Sequence, residues 1–129
     1  MCSSDLDLNS IESCIEKNLP SSLLVIPFDN PTGQFLSQGT LFELARLCVK
    51  HGLWLVSDEA YRPLYYGQEK PSSIWALSEQ GVPGVSGIRI SIESSSKVWN
   101  ACGLRIGGLM TDNEEFHTKA ISEDRKRLV

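Results

Sequence analysis

The chain has no C-x-x-C pair, only two histidines in 129 residues, and no apolar run longer than a strand. Each shortage excludes a class of function. Cys2, Cys14, Cys48 and Cys102 are widely separated and His51 and His117 stand alone, so no zinc-ligand spacing is present. No secretory signal accompanies the cysteines, which leads us to expect free thiols in a reduced, cytoplasmic setting. No segment approaches the about 20 apolar residues of a membrane-crossing helix. Net charge is −4 with both signs interspersed, leaving no basic stripe for nucleic acid or an anionic membrane. The short Arg125-Lys126-Arg127 group reads as a solvated helix end. Gly-x-Gly-x-x-Gly and P-loop motifs are both missing, which argues against a doubly wound nucleotide-binding domain.

What is there suits a globular chain: 41% hydrophobic and 22% charged residues, at a length that fits one domain with a moderate core. Asn9-Ser10-Ile11-Glu12 has the form of a capping box, predicting a helix to about Asn18 that Pro20 closes. Residues 22–27 form a continuous apolar run, as in a strand buried on both faces. Ser37 can cap a second helix with Leu41, Leu44, Ala45, Cys48 and Val49 on one side and Gly52 at its end. Residues 53–57 are a second strand, so this stretch is a βαβ unit with parallel strands and a right-handed crossover. Proline and glycine punctuate residues 61–87, with one helical turn near 74–77. Residues 87–93 alternate as a third strand. Residues 104–111 are a fourth strand that follows too closely to be a parallel neighbour, so it pairs antiparallel or lies in a different sheet. A last helix runs from Asp112, with Asp112 or Asn113 near its cap.

In an open parallel sheet, ligands bind beyond the carboxyl ends of the strands. Asn30-Pro31-Thr32-Gly33, Asp58-Glu59-Ala60-Tyr61 and Ser94-Ser95-Ser96-Lys97 each follow a predicted strand directly. Taken singly, each has a structural explanation. Lys97 is a solvated loop lysine, Asp58 caps a loop, Tyr61 is a core aromatic, and Asn-Pro-Thr-Gly is a good turn. Arg105 is harder to dismiss, because an arginine in an apolar strand needs an anion and no neighbour in sequence supplies one. Glu59 should point away from Asp58 along an extended segment.

Together, Ser94-Ser95-Ser96-Lys97 followed by Gly103-Leu104-Arg105-Ile106-Gly107, with the two upstream motifs in this order, resembles the pyridoxal-phosphate (PLP) site of class I/II aminotransferases, the fold-type I PLP enzymes. The resemblance runs from about Asp7 onward. It implies an α/β fold in which these four strands, the last antiparallel, are neighbours in the doubly wound mixed sheet of a large domain with flanking helices. It implies that Lys97 forms the Schiff base with the cofactor aldehyde, with Asp58 on the pyridine nitrogen. Arg105, Ser94 and Ser96 hold the phosphate, with Gly103 and Gly107 allowing close backbone approach. Asn30 and Tyr61 bond the phenolic oxygen, Ala60 packs on one ring face, and Asn30 also touches the substrate carboxylate. The Asn30–Pro31 bond is expected to be cis.

The implied activity moves an amino group between an amino acid and a 2-oxo acid, in a homodimer. The same scaffold also serves carbon–sulfur lyases, cyclopropane-forming synthases and sensor domains of transcription regulators. Residues 1–6 match a translated adapter and are expected to be a non-native leader. Residues 7–129 are expected to be part of the PLP-binding large domain, cut at both ends. With two sheet edges left open, they should fold poorly alone and bind PLP weakly.

Overall fold

Asp7, not Asn9, starts the first helix. The computed structural model, which describes residues 6–66 and 71–127, has α1 at Leu8–Asn18 with Asp7 Oδ1 accepting from the Asn9 and Ser10 amides. The expected leader lies, but for Leu6, outside the described residues, as do Cys2, Gly67 and Val129. Glu12, freed from capping, accepts instead from Lys50 Nζ at 2.7 Å and lies 2.8 Å from His51 Nε2. Glu16 joins them, so Glu12, Glu16 and His51 present ligand-type atoms within 4.8 Å of one another, a grouping that local spacing did not show. The cysteines described, Cys14, Cys48 and Cys102, are free thiols.

Strand β1 is Ser22–Val25, two residues shorter than the apolar run. Pro27 has no N–H to give a ladder. Beyond it Phe28 and Phe35 bridge across a turn that contains the cis Asn30–Pro31 bond. Helix α2, Gln38–His51, begins where Ser37 Oγ accepts from the Thr40 amide and ends at Gly52 in the left-handed region, φ 65°. Its buried stripe is Leu41, Leu44, Ala45 and Cys48, while Val49 is half-buried. Strand β2, Trp54–Asp58, pairs parallel with β1 and with β3, Arg89–Ser94. After the short helix α3, Ser95–Val98, strand β4, Gly107–Thr111, returns antiparallel to β3. Helix α4, Glu114–Arg127, follows, and Asn113 Oδ1 accepts from the Phe116 amide at its start.

The result is an α/β fold, a mixed sheet in the order β1-β2-β3-β4 with flanking helices. Register puts Leu23, Leu55 and Arg89 on one face together with Val25, Ser57 and Ser91. That face is closed by α2 and by Ile74, Leu77, Val82 and Val85 from the stretch between β2 and β3. The opposite face carries Leu24, Asp58, Ile92 and Leu109, and it is largely open. Only at one end does α4 reach it, with the Phe116 ring centred 5.4 Å from that of Trp54.

The other strand boundaries also differ from expectation: β2 is shifted on by one residue and β3 begins two residues late. Strand β3 extends to Ser94, and β4 begins three residues late. Cys102–Leu104 form a 3-10 turn and Arg105 adopts φ 51°, so Arg105 precedes the sheet instead of lying in it. Gly107 is where the strand can start, because a Cβ there would stand 2.9 Å from the Glu93 carbonyl.

Candidate functional site

The carboxyl ends of β1, β2 and β3 deliver three groups to one corner of the sheet. Beyond β1, Asn30 Nδ2 donates to the Tyr61 hydroxyl at 2.8 Å. Beyond β2, Tyr61 opens a 3-10 turn, Arg62–Leu64. Beyond β3, α3 places Lys97 Nζ over the Tyr61 ring, 5.4 Å from its centroid. Such a cation–π contact contributes about 0.5–1 kcal/mol where the amine is exposed, as Lys97 is. Residues far apart in the chain therefore meet on one phenol.

Asp58 ends β2 on the open face of the sheet, half-buried, with Oδ1 accepting from the Ala60 amide at 3.1 Å. No other hydrogen bond to this carboxylate is found among the described residues, so its second oxygen retains its lone pairs. Ala60, with one methyl, adds no bulk beside it. Ser94 Oγ accepts from the Ser96 amide and so caps α3. The loop that carries Arg105 folds back onto α3, with Ser95 N and Oγ both bonded to the Ile106 carbonyl at 3.1 and 2.8 Å. Arg105 is thus brought near the serines in the chain's path, but its guanidinium turns onto the Cys102 carbonyl at 3.1 Å and is exposed. The expected placement of Arg105 within an apolar strand is corrected: it precedes β4, in the left-handed region, where its side chain reaches a backbone carbonyl. Gly107 lies close to the Glu93 backbone carbonyl, and Gly103 has open space where its Cβ would be.

Glu59 faces away from this corner, as alternation requires, and is completely buried. Its carboxylate accepts from the Ile74 amide, Ser73 Oγ and Ser57 Oγ, and lies 2.8 Å from Arg62 Nε. That nitrogen has no aligned hydrogen bond, so the contact is an ion pair. Arg62 Nη2 lies 3.8 Å from Glu93 Oε1 on β3. Burial raises the Glu93 carboxyl above the ordinary carboxylate range; Arg62 opposes this, and the nearby Glu59 and Asp58 charges add to it. Sequence reading passed over Arg62 and Glu93. The signal available was Glu59 three residues before Arg62, directly after a strand.

Among the described residues, no helix is long and apolar enough to cross a membrane. Residues 3–126 match the family model described as aminotransferase class I and II. The chain is 37% identical over 102 residues to 2-aminoadipate transaminase of Thermus thermophilus, covering 78% of this chain and 24% of that protein. Against glutamate–glyoxylate aminotransferase 2 of Arabidopsis thaliana it is 32% identical over 111 residues, covering 79% of this chain and 23% of the relative. Among solved structures, N-succinyldiaminopimelate aminotransferase of Mycobacterium tuberculosis superposes with a TM-score of 0.69 at 25% identity, over 79% of this chain and 25% of that one. A PLP-bound C–S lyase of Staphylococcus hominis shares the fold, with a TM-score of 0.77 at 22% identity over 90% and 28% of the two chains. The chain spans about a quarter of the length of the curated relatives it matches. It belongs to the class I and II aminotransferase family.

Proposed function

We propose that this family member is part of the PLP-binding large domain, residues 7–129, of an enzyme that transfers an amino group between an amino acid and a 2-oxo acid. One observation carries the reading: an amine, a phenol and an amide from three separate strand ends converge, with Lys97 over the Tyr61 ring and Asn30 on its hydroxyl. The groups left free fit a phosphorylated pyridine aldehyde. Lys97 donates to no acceptor among the described residues, Asp58 keeps one oxygen unbonded, and the Arg105 guanidinium is exposed, with Nη1 donating to the Cys102 carbonyl.

Bound PLP supplies an aldehyde carbon for amine exchange and a ring that draws electrons from the substrate's α-carbon. Lys97 Nζ would be the covalent attachment point for PLP and, when its amine is free, the acid/base group that would carry the 1,3-proton transfer from the substrate's α-carbon. Asp58 holds the proton on the ring nitrogen by accepting from it, which keeps the ring electron-poor. Tyr61 and Asn30 donate to the ring oxygen and favour its anion. Ser94, Ser96 and the planar fork of Arg105 hold the phosphate. Arg105 must swing off the Cys102 carbonyl to do so. Asn30 is also within the group expected to meet the substrate carboxylate. The reading carries with it a cytoplasmic homodimer.

Borohydride reduction of the PLP-loaded intact protein, followed by peptide mass spectrometry, should place the label on Lys97. A label on another lysine removes Lys97 from its role. Product analysis separates the reactions this scaffold supports: a new amino acid and a 2-oxo acid mark transamination, whereas ammonia and a thiol mark C–S cleavage.

A further inference from the structure

Glu59 takes no part in the chemistry just described, yet it is the residue of the Asp58–Tyr61 motif most tightly held. A fully buried carboxylate is costly unless it is paired and hydrogen-bonded. Glu59 meets that condition from three directions. The Ile74 amide donates to Oε1 at 3.0 Å, Ser73 Oγ donates to Oε2 at 2.9 Å, and Arg62 Nε faces Oε2 at 2.8 Å. Its backbone is fixed as well: Glu59 N donates to the Ile92 carbonyl and Arg62 N to the Glu59 carbonyl, each at 3.0 Å. Ala60 and Tyr61 are therefore suspended between two anchored residues. Arg62 extends the brace to β3 through Glu93, the strand whose end leads into Lys97.

A purely architectural role does not need the charges. The 73–74 segment is already tied to α2 by Gln38, which donates to the Ser73 carbonyl and accepts from the Ser73 amide. The neutral donors Ser73 and Ile74 would be satisfied by an amide in place of the carboxylate. What the ion pair adds to the Arg62 amide–Glu59 carbonyl bond is a second, side-chain link between residues 59 and 62, and through Arg62 to Glu93, across the turn that aims Tyr61.

We infer that the pair of buried Glu59 and half-buried Arg62, braced by Glu93, is a positioning clamp that holds the Tyr61 phenol between Asn30 and Lys97. Its effect on the cofactor rests on the function proposed above; its effect on Tyr61 does not.

The test uses two variants of the full chain. Glu59→Gln keeps the shape and the acceptor for Ile74. Glu59→Gln with Arg62→Met removes both charges of the pair, leaving Glu93 without its neighbouring cation. Backbone amide spectra report folding, and the ¹⁵N side-chain amide signal of Asn30 reports its bond to Tyr61 without any cofactor. In both variants the Asn30 signal should move toward that of Tyr61→Phe while the Ile74 amide keeps its position. In the intact protein, added PLP should bind about tenfold more weakly, as one misplaced hydrogen bond implies, with a displaced pH midpoint of its visible absorption. A folded variant with a wild-type Asn30 signal overturns the clamp. Unfolding of both variants overturns it too, since the pair is then a fold element. Wild-type protein that fails to label at Lys97 sinks the proposed chemistry alone, because the Asn30 signal still decides the clamp.

Discussion

The two faces of the sheet should respond differently to the same truncation. Leu55 lies in β2 with parallel neighbours on both sides and is 0% exposed, under α2 and the 74–85 stretch. Leucine to alanine there removes three carbons, about 2.4 kcal/mol of transfer free energy at ~0.8 per carbon, and leaves a cavity. A total near 3 kcal/mol follows. Leu24, on the edge strand and the other face, is 59% exposed. Its truncation should cost less than about 1 kcal/mol. Urea unfolding followed by circular dichroism reads both. With a slope of about 1–3 kcal/mol per molar for a chain of this size, Leu55→Ala should lower the midpoint by more than about 1 M, with unchanged slope. Leu24→Ala should barely move it. Equal losses would mean that the Leu24 face is covered in solution, and the assignment of an open and a closed face would fail.

Two other perturbations test local claims. The Ser86 hydroxyl, and then the Gly84 and Ser86 amides that donate to Glu79 at 2.8 and 2.7 Å, hold its carboxyl down at about 2. A depressed carboxylate stabilises fully above its ordinary value near 4.5 and loses that contribution as pH falls toward 2. Melting temperatures from pH 6 down to pH 2 should therefore fall less steeply in Glu79→Gln; an identical acid slope would show the bonds to be absent in solution. Gly107→Ala drives a Cβ against the Glu93 carbonyl and should cost about 1–3 kcal/mol, with faster amide exchange at Ser95, whereas Gly108→Ala enters open space and should be nearly neutral. Comparable losses at the two glycines would refute the close approach.

Much of the fold was legible because its determinants are local. Ser37 and Gly52 bracket α2 with the chemistry each helix end requires, and the 3.6-residue spacing between them names the buried stripe. Connection length excluded a parallel β4, and the family resemblance chose the antiparallel return that the sheet shows. The errors arose where two local solutions compete. Asp7 and Asn9 are both good caps two residues apart, and only the observed backbone shows which one leaves helical geometry. The apolar run through Leu104 and Ile106 looks like strand, but Arg105 in the left-handed region breaks it. Ile74 and Leu77 flank the single helical turn expected there, but Val82 and Val85 reach the core from a stretch with no helix or strand period to mark them.

The corner that gathers Asn30, Tyr61 and Lys97 was legible for another reason: each lies just past a strand, and parallel strands bring their carboxyl ends to one edge. Period-two alternation adds a division of labour at the end of β2. Asp58 and Glu59 are adjacent acids, and the pleat sends them to opposite faces. Asp58 emerges on the open face with one oxygen unbonded, the state a group needs to meet a ligand. Glu59 enters the closed face, where a carboxylate persists only with donors and a counter-charge. Those donors come from residues 73 and 74, too distant in sequence for local reasoning to find. A buried acid beside a solvent-facing one thus gives a sequence-level rule worth carrying forward: a cation three residues on is the partner to look for.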